Sequence, residues 1–463
     1  MPGKRTGPSL PLLLAVAAAI VAVLAFLPNI LELFLPRFRV LYQTELLIYG
    51  MTFAIAALGF NLLLGYTGLL SFGHSAYFGA GAYTVAFIVR DLHVQSMELC
   101  ILGGLLSSLV IAALFGYVCV RHTRIFFGIL TLALSQVLWS LAYKFFWVTG
   151  GTDGISVPRT GLTLLGGLID FKGSGAYQRF ISAYYYYVLA LFVLAVSIMW
   201  VIVHSPFGKA LQAIRDNEVR AGFVGIRVRR YRWIAFIISG LFTGVAGALW
   251  VPLNGLTTPD ILYWPFSGEI VFMTVLGGFR TFTGPIIGAL AFNYLKVIAV
   301  GSSHYWQLVL GLVLVFLVMV LPSGIIGVFP QPPPWLSRAA ASVRGFVSAF
   351  VALLLLPLVF EGVLRASVYL GAPEEAVAVV TVLGSLASLV SLFLLLVLVY
   401  LRGVAIGHRW IAVLPALAAV AAAGSARAFG LALPTVLVPI AICILCLVLG
   451  SILRSAKPIE QGS

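Results

Sequence analysis

The chain has 463 residues, of which 62% are hydrophobic and only 9% charged, and its formal net charge is +14. An ordinary soluble domain carries about 25% charged residues, so water is excluded as the main solvent. The basic surplus lies in short segments between apolar runs, which argues against the broad basic face that a nucleic-acid partner requires.

A bilayer core about 30 Å thick takes about 20 apolar residues per helical span. A span without water must be a helix or a strand of a closed barrel, and alternating strands of the barrel type are absent. Suitable runs predict helices near 9–27, 45–66, 72–89, 101–120, 125–147, 183–203 and 233–252, then 284–300, 306–322, 346–364, 377–401, 410–424 and 431–453. A further run at 267–277 is too short to cross straight. The expected fold is therefore all-α, a polytopic transmembrane helix bundle of about 12–14 segments, some of them discontinuous. The first run follows Lys4 and Arg5 as a signal peptide would, but it is long and lacks a small-residue cleavage site before Pro28, so it is read as a retained span. Loop bases such as Arg121, Arg124, Lys209, Arg215, Arg220, Arg227, Arg229, Arg230, Arg232 and Arg280 fall on the same side as Lys4 and Arg5. That side is cytoplasmic by the positive-inside rule, which puts both termini inside and the 146–182 connection outside. Cys443 and Cys446 form a CxxC inside an apolar span with no His or acid nearby, so they read as small buried hydrophobes, and neither a metal nor a cofactor is expected.

Two segments are interrupted by glycine. Residues 59–83, GFNLLLGYTGLLSFGHSAYFGAGAY, hold Gly59, Gly65, Gly68, Gly73, Gly79 and Gly81, and residues 274–292 hold Gly277, Gly278, Gly284, Pro285 and Gly288. Glycine at this density weakens a helix and lets backbones approach closely. Interrupted segments in two halves of a chain point to a substrate path lined by freed peptide groups, and tight packing is a compatible second reading. Asn61, Ser71 and His74 in the first break should face the interior, because a lipid-facing polar group is costly. His74 reads as a hydrogen-bonded packing residue, with a ligand or proton-relay role as the alternative. Glu269, after Ser267 and Gly268, falls near the outer interface and is a further candidate for the path. The path candidates are thus Asn61, Gly65, Gly68, Ser71, Gly73, His74, Gly79, Glu269, Gly277, Gly278 and Gly284.

Two connections carry further signals. The outer one contains Thr149, Gly150, Gly151, Thr152, Asp153, Gly154 and Ile155, either a plain exposed turn or part of an outer mouth that docks a soluble partner. The inner one, from His204 to Arg232, opens with Ser205 and Pro206, a capping hydroxyl ahead of a proline at the first helical position. Phe207, Leu211 and Ile214 then recur at i, i+4 and i+7, while Lys209, Gln212, Arg215, Asp216 and Glu218 take the remaining surface, and Gly222 and Gly225 loosen the end. A short amphipathic helix of this kind either rests on lipid or inserts its apolar stripe into a groove on a partner.

The 59–83 stretch, TGGTDGI at 149–155, SPFGKALQAIRDNEVRAGFVGI at 205–226 and LPSGIIG at 321–327, in that order, resemble the branched-chain amino-acid permease family of ABC importers. The resemblance covers residues 41–328. It implies a non-enzymatic permease subunit in the bacterial inner membrane that translocates leucine, isoleucine, valine or related small polar solutes, with urea, amides or sugars as alternative cargo. It also implies a second homologous permease, two cytoplasmic ATPase subunits and a periplasmic or lipid-anchored binding protein as partners. In its light residues 205–226 resemble the ATPase-coupling segment, with Phe207, Gly208, Leu211, Ile214, Arg215 and Asp216 in the helix and Ala221 and Gly225 at the alanine and glycine positions of the importer motif. Arg220 stands where an acid is often found. Independently, no GxxxxGK[ST] occurs, so ATP is expected on another chain. The expected domains are a permease at 1–328, a proline-rich linker at 329–345 and an extension of four predicted spans at 346–463, expected to be dispensable for transport. A secondary carrier would need ionisable residues at mid-membrane, whereas Lys144, Glu269 and Lys296 fall near span ends. An intramembrane enzyme would need a cluster that the six scattered histidines do not form.

Overall fold

The computed structural model of the protein describes residues 44–327, apart from 123, 160–161, 165–175, 303–306, 309, 312–313 and 316–322. The expected first span, most of the 306–322 run, the linker, the C-terminal extension and its CxxC lie outside the described residues. The chain divides into two compact units, and the fold of interest is that of Tyr42–Asn293.

The first helix, α1 (Thr44–Asn61), passes directly into a π-helical turn, Leu62–Thr67. After a non-helical stretch come α2 (His74–Asp91), α3 (Met97–Cys119), α4 (Arg124–Lys144) and a single turn, α5 (Phe146–Thr149). A two-residue strand β1 (Ile155–Ser156) precedes α6 (Ala176–His204), which starts a little earlier than its apolar run. Then follow α7 (Pro206–Asp216), α8 (Glu218–Phe223), α9 (Val228–Asn254), β2 (Leu256–Thr257), α10 (Trp264–Gly277) and α11 (Gly284–Ser302). In the second unit, the closing Gly324–Gly327 of the LPSGIIG motif forms the short helix α12.

Among the described residues, five helices are long and apolar enough to cross a membrane: α1 with its π-turn, α3, α4, α6 and α9. At about 1.5 Å per residue the 14 residues of α10 reach about 21 Å, short of a bilayer core, as its apolar run implies. The spanning helices differ in their surroundings. The first is buried over 89% of its apolar window, while α4 is buried over only 28%. A helix that is apolar all round belongs at the centre of a bundle. On α3 the buried residues Cys100, Gly104, Ser108, Ala112, Gly116 and Cys119 form a stripe of small side chains, and Leu99, Leu102, Leu106, Val110 and Leu114 stand exposed on the other faces, where lipid is the natural partner.

The small stripe of α3 receives α9. A Cβ on Gly104 would stand 2.9 Å from the Ala248 Cβ, and one on Gly244 would run into Ser108. Gly81 faces the Gly244 carbonyl and Gly247 the Phe78 carbonyl, so α2 and α9 touch backbone to backbone. Close approach of this kind replaces the hydrophobic driving force that is absent between helices in lipid. At the other end, β1 pairs antiparallel with β2, Ile155 opposite Thr257, fastening the outer connection to the end of α9.

Candidate functional site

The first interruption is real and falls at Gly68, not throughout the glycine-rich stretch. Gly68 has φ +76°, and its N–H and that of Leu69 both donate to the Leu63 carbonyl, while the Thr67 hydroxyl donates to Leu62 O at 2.8 Å. Together these end the helix. Residues 68–73 then run without helix until His74. The Phe72 N–H donates to the Thr131 hydroxyl of α4 at 3.2 Å, and a Cβ on Gly73 would lie 2.6 Å from Thr131 O. Ser71 accepts from the Gly73 N–H at 3.3 Å. The second interruption follows the same logic: α10 ends at Gly277, Gly278 has φ +110°, and Thr281 closes a turn onto the Gly278 carbonyl before α11 begins at Gly284. Gly277 has no room for a side chain against the Gly284 carbonyl.

The two interruptions meet. Asn61 donates from Nδ2 to Thr281 O at 3.4 Å, and Gly65 fits beneath the Phe279 carbonyl. Asn61 Oδ1 is buried there with no protein hydrogen-bond partner. The structure thereby gathers Asn61, Gly65, Gly277, Gly278 and Gly284 into one locus, while Phe72 and Gly73 meet α4 and Ser71 bonds within its own loop. His74 Nε2 lies 2.8 Å from the Ser239 hydroxyl, between the rings of Phe60 and Tyr77, as a hydrogen-bonded packing residue would. Next to it the Ser75 N–H donates to the Ser267 hydroxyl, which in turn donates to Ser75 Oγ, so α2 is sewn to α10. Glu269, half-buried, lies on α10 between Ser267 and Thr274, which reaches Ala57 O at 3.5 Å. Gly59 and Gly79 sit apart from the break: Gly59 packs on Ser239 and Phe242, and Gly79 on Leu262.

At the end of the bundle that holds the π-turn, the Ser205 hydroxyl accepts from the Gly208 N–H at 3.4 Å and caps α7, as the Ser-Pro signal predicts. The apolar stripe of this helix corrects the expectation of a partner groove. Leu211 and Ile214 are 0% and 2% exposed, Leu211 in one cluster with Leu62, Leu63, Leu69, Met199, Val203 and Phe236. Phe207 is half-buried and stacks on Tyr231 with ring centroids 5.5 Å apart. The stripe is therefore already occupied by the chain itself. Arg215 likewise turns toward its own chain, with Nη1 donating to the Gly65 carbonyl and Nε and Nη2 each 3.3 Å from Asp216 Oδ1.

The next helix behaves differently. Asn217 Oδ1 accepts from the Arg220 N–H at 3.0 Å and caps α8, Ala221 is buried, and Arg232 of α9 forms an ion pair with Glu218. Val219, Phe223 and Val224 are left 62%, 86% and 82% exposed, and Arg220, Arg227, Arg229 and Arg230 of the same segment are exposed as well. Nothing lies within 4 Å of a Cβ built on Gly222 or Gly225, and Gly225 turns the chain with φ +88°. This apolar knob was legible as Phe223 and Val224 beside two glycines, but periodicity directs attention to the preceding helix.

In the outer connection, Gly150, Gly151 and Gly154 all have positive φ, and the Thr149 hydroxyl donates to the carbonyls of Ala142 and Phe145. Arg90 holds the turn from α2 through the Val148 carbonyl at 2.8 Å. Asp153 is left exposed on this fixed platform.

Apolar spanning helices enclosing two apposed interruptions define a polytopic helical membrane protein. The chain belongs to the family described as branched-chain amino acid transport system, permease component, whose profile matches residues 42–319. It is similar to the high-affinity branched-chain amino acid transport system permease protein LivM of Salmonella typhimurium, at 26% identity over 64% of this chain and 72% of that one. It is also similar to LivH of the same organism, at 25% identity over 60% of this chain and 92% of the relative, and to BraD of Pseudomonas aeruginosa, at 24% over 60% and 92%. No solved structure matches it.

Proposed function

We propose that this chain is a permease subunit of an ATP-binding-cassette importer in the bacterial inner membrane, moving leucine, isoleucine, valine or a related small polar solute into the cytoplasm. In this reading it pairs with a second, similar permease and works with two cytoplasmic ATPase subunits and an external binding protein. Its similarity to both LivM and LivH, two permease proteins of one organism, supports the pairing. The locus of Asn61, Gly65, Gly277, Gly278 and Gly284, where the two helix breaks meet, lines the cargo path, with Glu269 further along α10, and the 149–155 turn offers the outer docking platform. The extension after Gln331 stands outside this activity, so a chain ending there is expected to transport.

The observation that carries the ATPase contact is the exposed knob of Val219, Phe223 and Val224. Exposed apolar side chains clustered among polar neighbours mark protein–protein or membrane contact sites, and the neighbouring arginines fit an acidic rim on a partner. Burying Phe223 and Val224 in a groove is worth roughly 1.5–3 kcal/mol each. Phe223→Ser with Val224→Ser should leave the permease in the membrane and remove ATPase co-purification. Retained ATPase together with lost binding to anionic liposomes would make the knob a lipid-surface element and refute the docking assignment.

A further inference from the structure

The end of a helix leaves its last carbonyls without partners inside the helix. At the π-turn the Gly68 and Leu69 N–H groups both go to Leu63 and the Thr67 hydroxyl to Leu62. The Gly65 carbonyl takes the guanidinium of Arg215 instead, from a different helix 150 residues away. A cation at a helix C-terminus also stands at the favourable end of the dipole. The stem of Arg215 completes the joint: a Cβ on Gly68 would lie 2.9 Å from Arg215 Cγ, so glycine is needed there both for its φ of +76° and for this contact. The other edge of the guanidinium stays on Asp216 at 3.3 Å, and the side chain is 35% exposed, neither sealed in the core nor free.

The turn that receives Arg215 is also the turn that touches the second interruption. Gly65 lies beneath the Phe279 carbonyl, and Asn61, one helical turn earlier, donates to Thr281 O. A single arginine on α7 therefore reaches both breaks through one π-turn, and π-turns inside helices are frequent at functional sites.

We propose that Arg215 is a positioning residue that transmits displacement of α7 and α8 into the two interrupted segments. It does so by holding the Gly65 carbonyl and, through the turn, the contact between Asn61 and Thr281. This rests on the importer reading above. The planar fork of arginine bridges two acceptors at fixed spacing, which the single ammonium of lysine does not reproduce.

The test is leucine uptake per ATP hydrolysed in proteoliposomes holding the complete complex of both permeases and the ATPases, with the binding protein added. Arg215→Gln should retain the ATPase and its stimulation by loaded binding protein, while leucine moved per ATP falls by about tenfold, a usual size for coupling between sites. Arg215→Lys should fall between this and wild type. Asn61→Ala should also lower the ratio, and combining it with Arg215→Gln should add little, because both act on one turn. Wild-type stoichiometry in Arg215→Gln overturns the proposal, and so does loss of ATPase binding, which would put Arg215 in the docking surface. Should Arg215→Gln fail to accumulate in the membrane, Arg215→Lys is read instead, and full coupling in it overturns the proposal. A wild-type complex that shows no ATP-driven uptake refutes the importer reading, a result separable from all of these.

Discussion

Two adjacent short helices, α7 and α8, use their apolar residues in opposite directions. On α7, Leu211 is sealed against the end of α1 and the neighbouring spans, Ile214 is buried too, and Arg215 bends back onto the π-turn. On α8 and just beyond it, only Ala221 is buried, and Val219, Phe223 and Val224 project outward. Amphipathic spacing thus identifies a face that will be buried but not the body that buries it. In this permease the regular stripe is internal architecture, and the irregular trio after it stays exposed.

Four substitutions sharpen that contrast. Leu211→Ala should have the largest effect, costing about 2–5 kcal/mol as a buried leucine leaving a cavity. Thermal unfolding of the detergent-purified permease should show a clear fall in Tm, while the molecules that remain folded bind the ATPase with unchanged affinity. Glu218→Ala comes next, because it strands the nearly buried guanidinium of Arg232; about 1–3 kcal/mol is expected, discounted for the half-exposed carboxylate, and the same melting measurement reads it. Asn217→Ala removes the cap of α8 and about 1 kcal/mol of local order. Its signature should be a several-fold weaker ATPase affinity in a binding titration with little change in Tm, since a loosened helix pays its ordering cost on binding. Ser205→Ala should be mildest, at about 0.5–1 kcal/mol for a long cap bond, with the change confined to Tm. Weak ATPase binding in Leu211→Ala with normal Tm would reverse the roles given to the two helices.

Much of the bundle was legible in the sequence because lipid imposes simple lengths: the runs at 45–66, 125–147 and 233–252 correspond to α1 with its π-turn, α4 and α9. The breaks were legible as glycine density, but density alone did not separate Gly68 and Gly278, which adopt positive φ, from Gly59, Gly79 and Gly81, which serve close packing. Both roles favour the same residue for different physical reasons. The Ser205 cap was readable because it is local. Contacts between distant segments, such as Asn61 with Thr281 or Arg215 with Gly65, were not, since nothing in composition or period specifies which elements share a neighbourhood.

ATP-driven import by this chain is decided by uptake in a defined system. The chain would be reconstituted in liposomes with its companion permease and ATPases, with ATP trapped inside and leucine-loaded binding protein outside. Leucine accumulation should require both ATP and binding protein and should be abolished by serine at Phe223 and Val224. Accumulation driven by a proton gradient without ATP or ATPase subunits would contradict ATP-driven import.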